Sequence, residues 1–136
     1  MADRLIIFDT SIFIDHLRTN KFSNEIFNIS GLVRSSSVVL SELARGAAKD
    51  DELDFVRALA ANYPIFTPTE RNLLESGEIL SRIYKQKGYL PEKLRDLHFD
   101  VLIALTARNY GATVITSNKA DFELIRKYIE FYLEVW

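Results

Sequence analysis

The chain has 136 residues, and its 17 Lys and Arg stand against 19 Asp and Glu, a net charge of −2. With 48% hydrophobic and 26% charged residues, the composition is that of an ordinary globular protein. It disfavours a largely disordered chain and a polybasic protein held to nucleic acid by bulk charge. The length suits one domain spanning residues 1–136, large enough to bury a core without cross-links.

In chain order, Leu5–Phe8 is a short apolar run and reads as a buried strand. Asp9, Thr10 and Ser11 are cap-type residues, and Ile12, Phe13, Ile14 and Leu17 then suit a short helix. Asn24–Leu32 predicts a second helix. Ser35–Leu40 predicts a strand that leads into a helix over Ser41–Ala48. Asp50–Asn62 reads as a helix with an acidic first turn, and Pro64–Pro68 as a short strand.

Thr69 is placed to cap a long helix through Lys87, with Leu73, Leu74, Ile79, Leu80 and Ile83 as its apolar stripe and Gly88 as its stop. Leu94–Tyr110 predicts the next helix, closed by Gly111. Thr113–Thr116 is a buried strand, Ala120–Arg126 a short helix and Tyr128–Trp136 a last strand. Alternating strands and helices imply an α/β fold, a three-layer α/β/α sandwich around a mainly parallel sheet. In such sheets ligands bind beyond the carboxyl ends of the strands.

The chain has no cysteine, which removes disulfides, thiolate metal sites and cysteine nucleophiles. Its two histidines, His16 and His98, are too few for a three-histidine zinc site. Any metal must rest mainly on carboxylates, which suit hard ions such as Mg²⁺ or Mn²⁺. The start of the chain is too short and too soon charged for a signal peptide, and no apolar run approaches the ~20 residues of a membrane span. A cytoplasmic protein, with no membrane partner, is the simplest expectation.

Four acids stand out by position. Asp9 follows the first strand, Glu42 lies past the second, and Asp121 follows the strand ending near Thr116. Asp100 sits in the apolar helix stretch Phe99–Ala104, where an unpaired carboxylate is costly. Acids gathered at one sheet edge raise one another's pKa unless a cation neutralises them. A divalent ion there lowers the pKa of bound water and stabilises charge on a phosphoryl group. The pattern suggests a metal-dependent phosphodiesterase.

Plainer readings stand beside it. Asp9 and Asp121 can cap helices, Glu42 can be a solvated first-turn residue, and Asp100 can pair with Arg95 or Arg108. Thr116 and Asn118 can simply shape a turn. Asp96, four residues before Asp100, shares its helical face and can support the site from behind it. Asp15 reads as solvated or salt-bridged, and the histidines as surface or interface residues. Arg82, Lys85 and Lys87, with Tyr84 and Tyr89 among them and Lys93 and Arg95 beyond, can track an RNA backbone or merely complement a helix end.

The motifs Asp9-Thr10-Ser11-Ile12-Phe13-Ile14-Asp15, Ser41-Glu42-Leu43, Asp100-Val101-Leu102-Ile103-Ala104 and Thr116-Ser117-Asn118-Lys119-Ala120-Asp121-Phe122 together resemble the PIN-domain nucleases. The likeness is closest to the VapC-type toxins of toxin–antitoxin pairs, and it runs in order along nearly the whole chain. It implies a Mg²⁺- or Mn²⁺-dependent ribonuclease that is blocked by a cognate antitoxin and is commonly a homodimer. Asp9, Glu42 and Asp100 match the family's central acids, and Asp121 its more variable fourth. Ser11, Thr116 and Asn118 match the polar positions beside them. Asp9, Asp100 and Asp121 would hold metal, and Glu42 would ligate it or orient the attacking water.

The family's Gly-Glu pair after the second acid is half present, since Ala47 follows Gly46. Two alternatives remain: a haloacid-dehalogenase-type phosphatase, which also has an Asp after its first strand, and a non-catalytic PIN-like scaffold. The phosphatases carry a second acid where this chain has Ser11, and an inactive scaffold should have lost central acids. If the four acids are set aside as a metal pocket, the remaining 17 basic residues face 15 acids, a mildly basic body of +2.

Overall fold

The structure, a computed structural model, describes residues 4–136. Residues 1–3, part of the stretch weighed as a signal peptide, lie outside the described residues. The elements are β1 (Leu5–Phe8), α1 (Thr10–Thr19), α2 (Ser23–Phe27), β2 (Leu32–Ser36), α3 (Ser37–Gly46), α4 (Asp50–Asn62), β3 (Ile65–Phe66), α5 (Glu70–Lys87), α6 (Pro91–Tyr110), β4 (Thr113–Thr116), α7 (Lys119–Ile125) and β5 (Tyr132–Val135). No helix among the described residues is long and apolar enough to cross a membrane.

The five strands form one sheet in the order β3-β2-β1-β4-β5, and every pairing is parallel. β1 is central, with Ile6 opposite Val33 on one side and Phe8 opposite Ile115 on the other. Alternate side chains serve opposite faces, as a strand requires. Ile7 and Val114 join a large cluster with Val39, Val101, Leu105 and Phe122. Ile6, Phe8 and Ile115 join a smaller one with Ile12 and Phe22, against which Trp136 packs. Both faces of the sheet are covered, giving the expected three-layer α/β/α sandwich.

The chain advances from β1 to β2 and β3 on one side, then returns to place β4 on the other. The strand order therefore reverses between β1 and β4, the point where open parallel sheets leave a crevice at their carboxyl ends. Asp9 leaves β1 there, and its N–H continues the ladder to the Ile115 carbonyl at 2.8 Å.

Several boundaries differ from the sequence expectations. The helix expected over Asn24–Leu32 is only α2, because Leu32 opens β2. Gly31 makes that junction at φ 146°, where a Cβ would lie 2.7 Å from Ile6 Cδ1 and 2.8 Å from the Arg4 carbonyl. The strand expected over Ser35–Leu40 ends at Ser36, whose hydroxyl accepts from Val39 N–H at 3.3 Å and caps α3. Val38 and Val39 are thus helical despite their β-propensity, because the cap and their burial outweigh it.

α6 begins earlier than expected, with Pro91 in its first turn, where a missing N–H costs nothing. The last helix and strand are also shifted or shorter, as α7 and β5. Thr69 does cap α5, in a reciprocal box with Asn72. The stripe expected on that helix holds at its C-terminal half, where Ile79 and Ile83 are buried and Leu80 packs against the core, but Leu73 and Leu74 are exposed and Asn72 and Ser76 take the buried places before them.

Candidate active site

The site is built from three element starts and two helix faces. Asp9 caps α1, but capping uses only one of its oxygens. Oδ2 accepts from the Ser11 hydroxyl at 2.7 Å, the Thr116 hydroxyl at 2.8 Å and, more weakly, Ser11 N–H at 3.4 Å. Oδ1 is buried with no hydrogen-bond partner among the described residues, in a side chain whose residue is only 3% exposed. An unsatisfied buried carboxylate oxygen is expensive and rarely left so without a reason. The small polar residues hold their own network: Ser117 N–H donates to Ser11 Oγ at 3.1 Å and Asn118 N–H to Thr116 Oγ1 at 2.9 Å.

Glu42 lies on α3, half-buried, with Oε1 accepting from the Thr10 hydroxyl at 2.9 Å. Because α3 starts at Ser37, Glu42 is in its second turn and not in the exposed first turn of the plainer reading. Asp100 lies on α6. The plainer pairing with Arg95 or Arg108 does not occur: Arg108 holds Glu75, and no ion pair among the described residues reaches Asp100. Asp121, in the first turn of α7, accepts from Lys93 Nζ at 2.6 Å and from the Asn118 amide at 3.0 Å.

Asp100 lies close enough to the other three acids for each of them to act on its ionisation. Burial, then repulsion from Asp9, Glu42 and Asp121, pushes the Asp100 carboxyl up to about 9. Burial also raises Asp9, against the hydrogen bonds from Ser11 and Thr116. Glu42 is raised by burial, with further repulsion from Asp9 and Asp96 and partial relief from Thr10. Asp96 is itself exposed, so its influence on the cluster is through its field. Lys93 is raised by its bond to Asp121 and also feels Asp100.

Of the remaining sequence candidates, Asp15 is half-buried, its Oδ2 accepts from the Ser117 hydroxyl at 3.0 Å, and no ion pair among the described residues involves it. His98 Nε2 meets Ser76 Oγ at 3.0 Å, and His16 Nδ1 meets Ser23 Oγ at 3.3 Å, so neither ring faces the acids. Arg82 stacks over the Tyr128 ring at 5.1 Å, and Lys85 and Lys87 are exposed near the end of α5. Two residues escaped the sequence reading of the acid site. The sequence alone marks Thr10 only as a cap and Lys93 only as part of a basic stretch. Lys93 is seven residues before Asp100, two helical turns on the same face, and that spacing was the available signal.

Among the described residues, no three Asp, Glu or His side chains form a ready-made ligand set for one ion. The donor chemistry nevertheless fits a hard divalent cation. Asp9 offers a buried oxygen without a partner, and Asp100 meets three acids whose repulsion such a cation would relieve.

No curated protein matches the chain closely enough to count. Solved structures share its fold across nearly the whole length. VapBC from Salmonella typhimurium, bound to DNA, is 23% identical with a TM-score of 0.70, covering 100% of this chain and 99% of its own. VapBC2 from Rickettsia felis, bound to a DNA fragment from their promoter, is 22% identical with a TM-score of 0.68, covering 97% and 98%. VapBC-5 from Mycobacterium tuberculosis, of a family of toxin–antitoxin systems, is 20% identical with a TM-score of 0.61, covering 96% of each chain. Residues 6–128 match the PIN domain family, a span that takes in all four acids, the network around Asp9 and the sheet except Leu5 and the edge strand β5. With the acids gathered where the strand order reverses and that match running through every one of them, the chain belongs to the PIN domain family.

Proposed function

We propose that the chain is a Mg²⁺- or Mn²⁺-dependent ribonuclease acting as the toxin of a toxin–antitoxin pair. The observation that carries this reading is the meeting of Asp100 with Asp9, Glu42 and Asp121, beside a buried Asp9 oxygen that no group among the described residues satisfies. Membership of the PIN family supports a nuclease over the phosphatase alternative. Retention of all four acids argues against an inactive scaffold.

In this reading Asp9 and Asp100 hold the cation, and Asp121 faces the same pocket. The chemistry such an ion would supply when bound is a lowered pKa for its water and relief of the charge on the phosphoryl group. Ser11 and Thr116 fix the Asp9 carboxylate by one oxygen and leave the other directed at the site. Glu42, steadied by Thr10, orients the attacking water and takes up its proton, a role suited to a carboxyl raised by burial. Asn118 steadies Asp121, and Asp96 adds negative field behind Glu42. Arg82, Lys85 and Lys87 are proposed RNA contacts, since α5 ends close in sequence to the start of α6, which carries Lys93 and Asp100. The likeness to VapBC structures supports a cognate antitoxin as partner, and a homodimer in the cytoplasm completes the proposal.

Purified protein should cleave RNA with Mg²⁺ or Mn²⁺ and stop when EDTA is added. Asp9→Asn and Asp100→Asn should be folded by circular dichroism and inactive. Full activity of either variant would remove the site assignment, and activity in EDTA would remove the metal. Overexpression should arrest growth unless the antitoxin is co-expressed; cleavage without arrest would favour an RNA-processing role.

A further inference from the structure

Asp121 differs from the other three acids in what it touches. Both its oxygens are occupied by the chain's own donors, Oδ1 by the Lys93 ammonium at 2.6 Å and Oδ2 by the Asn118 amide at 3.0 Å. Asp9 is the opposite case, with Oδ1 buried and unpartnered. The Lys93–Asp121 pair is the only ion pair among the described residues to involve one of the four acids. Lys93 is delivered from the first turn of α6, two turns before Asp100, and Asp121 from the first turn of α7. Neither partner is a freely solvated surface group, at 39% and 17% side-chain exposure.

Two-metal sites place their ions roughly 3.5–4 Å apart, each on its own carboxylate oxygens. A Mg²⁺ ion sits about 2.0–2.1 Å from a ligating oxygen. An ion on Asp121 Oδ1 would stand where the ammonium already stands, and the two cations cannot share it. Resting on the reading of the acids as a divalent-cation centre, we propose that Lys93 is the resident second cation of this cluster. It occupies Asp121, limits the centre to a single divalent ion on the Asp9–Asp100 side, and presents a fixed positive charge to the substrate phosphate. Lys93 is then a positioning residue for Asp121 and the counter-charge that a second metal would otherwise supply.

The test counts Mn²⁺ ions bound per chain, by electron paramagnetic resonance and calorimetry on the full chain. The wild type should bind one. Lys93→Met, which keeps the stem and loses the charge, should bind two, and the second ion should vanish again in Lys93→Met combined with Asp121→Asn. Lys93→Arg should return the count to one. Lys93→Gln serves as a second neutral variant if Lys93→Met does not fold, and the wild-type count needs no variant. Two ions on the wild type, or a single ion on both the wild type and the neutral variants, overturns this inference and leaves the metal-centre reading standing. No Mn²⁺ bound by the wild type overturns both.

Discussion

α6 carries charge in both its halves, and it treats the two in opposite ways. Near its C-terminus, Arg108 donates to both oxygens of Glu75 at 2.9 and 2.8 Å, and the neighbouring Asn109 amide donates to Asn72. Each charge there has a partner, and the Arg108 bonds hold the Glu75 carboxyl below its ordinary value. About two turns earlier Asp100 faces three other acids, has no ion-pair partner among the described residues, and is pushed up to about 9. One helix therefore shows what paired and unpaired charge look like under the same packing. The paired half holds α5 against α6. The unpaired half is a local cost to the fold, of the kind that marks functional sites.

The largest effect expected from this contrast is on chemistry. Asp9→Asn or Asp100→Asn should lower RNA cleavage by at least ~100-fold, since altering even supporting residues at metal sites costs about 10–100-fold. Cleavage within a few-fold of wild type would dissolve the distinction between the two halves. Next comes pH. The folded Asp100 keeps its proton up to about 9, while its ordinary value is 3.8. The folded chain thus holds an extra proton between those values, and metal-free stability should fall as pH rises across that window. In Asp100→Asn the decline should be visibly shallower, as chemical denaturation at pH 5 and pH 8 in EDTA would register.

A smaller effect belongs to the network that aims Asp9. Thr116→Val removes the 2.8 Å bond to Asp9 Oδ2 and should cost about 10-fold in cleavage with the fold intact. An unchanged rate would mean that Ser11 alone suffices. Smallest is the paired half. Glu75→Ala should destabilise by about 1 kcal/mol or less, since the pair is partly solvated, and leave cleavage untouched. Glu75 is depressed in the folded state, so its contribution is present above its ordinary value of 4.5 and disappears as pH falls below it. A large loss of cleavage in this variant would show that the two halves are coupled.

The acids were legible in the sequence because each has a position that secondary structure alone makes meaningful: the end of a strand, or an apolar helix that should not hold a charge. The parallel sandwich was legible from the alternation of elements. Where the reading slipped, longer-range terms decided. Val38 and Val39 favour strands, but the Ser36 cap and the core draw them into α3, and this moves Glu42 from an exposed first turn to a half-buried second turn. On α5 the expected stripe holds from Ile79 onward and fails only in the first turns. The buried line begins with Asn72 and Ser76, polar residues satisfied by the cap, Asn109 and His98, so a count of apolar residues settled on Leu73 instead. Lys93 was missed because its partner lies 28 residues away on another helix, a distance that only the fold closes.

The central claim is that Asp9, just beyond β1, and Asp100 of α6 are held for a cation. Thermal melting of EDTA-treated protein at pH 8, with and without added Mn²⁺, tests it most directly. Mn²⁺ should raise the Tm of the wild type. Asp100→Asn should melt above the wild type in EDTA and gain little from Mn²⁺, because the repulsion is already gone and a ligand with it. A wild-type Tm indifferent to Mn²⁺, or an Asp100→Asn that melts below the wild type in EDTA, would contradict the account.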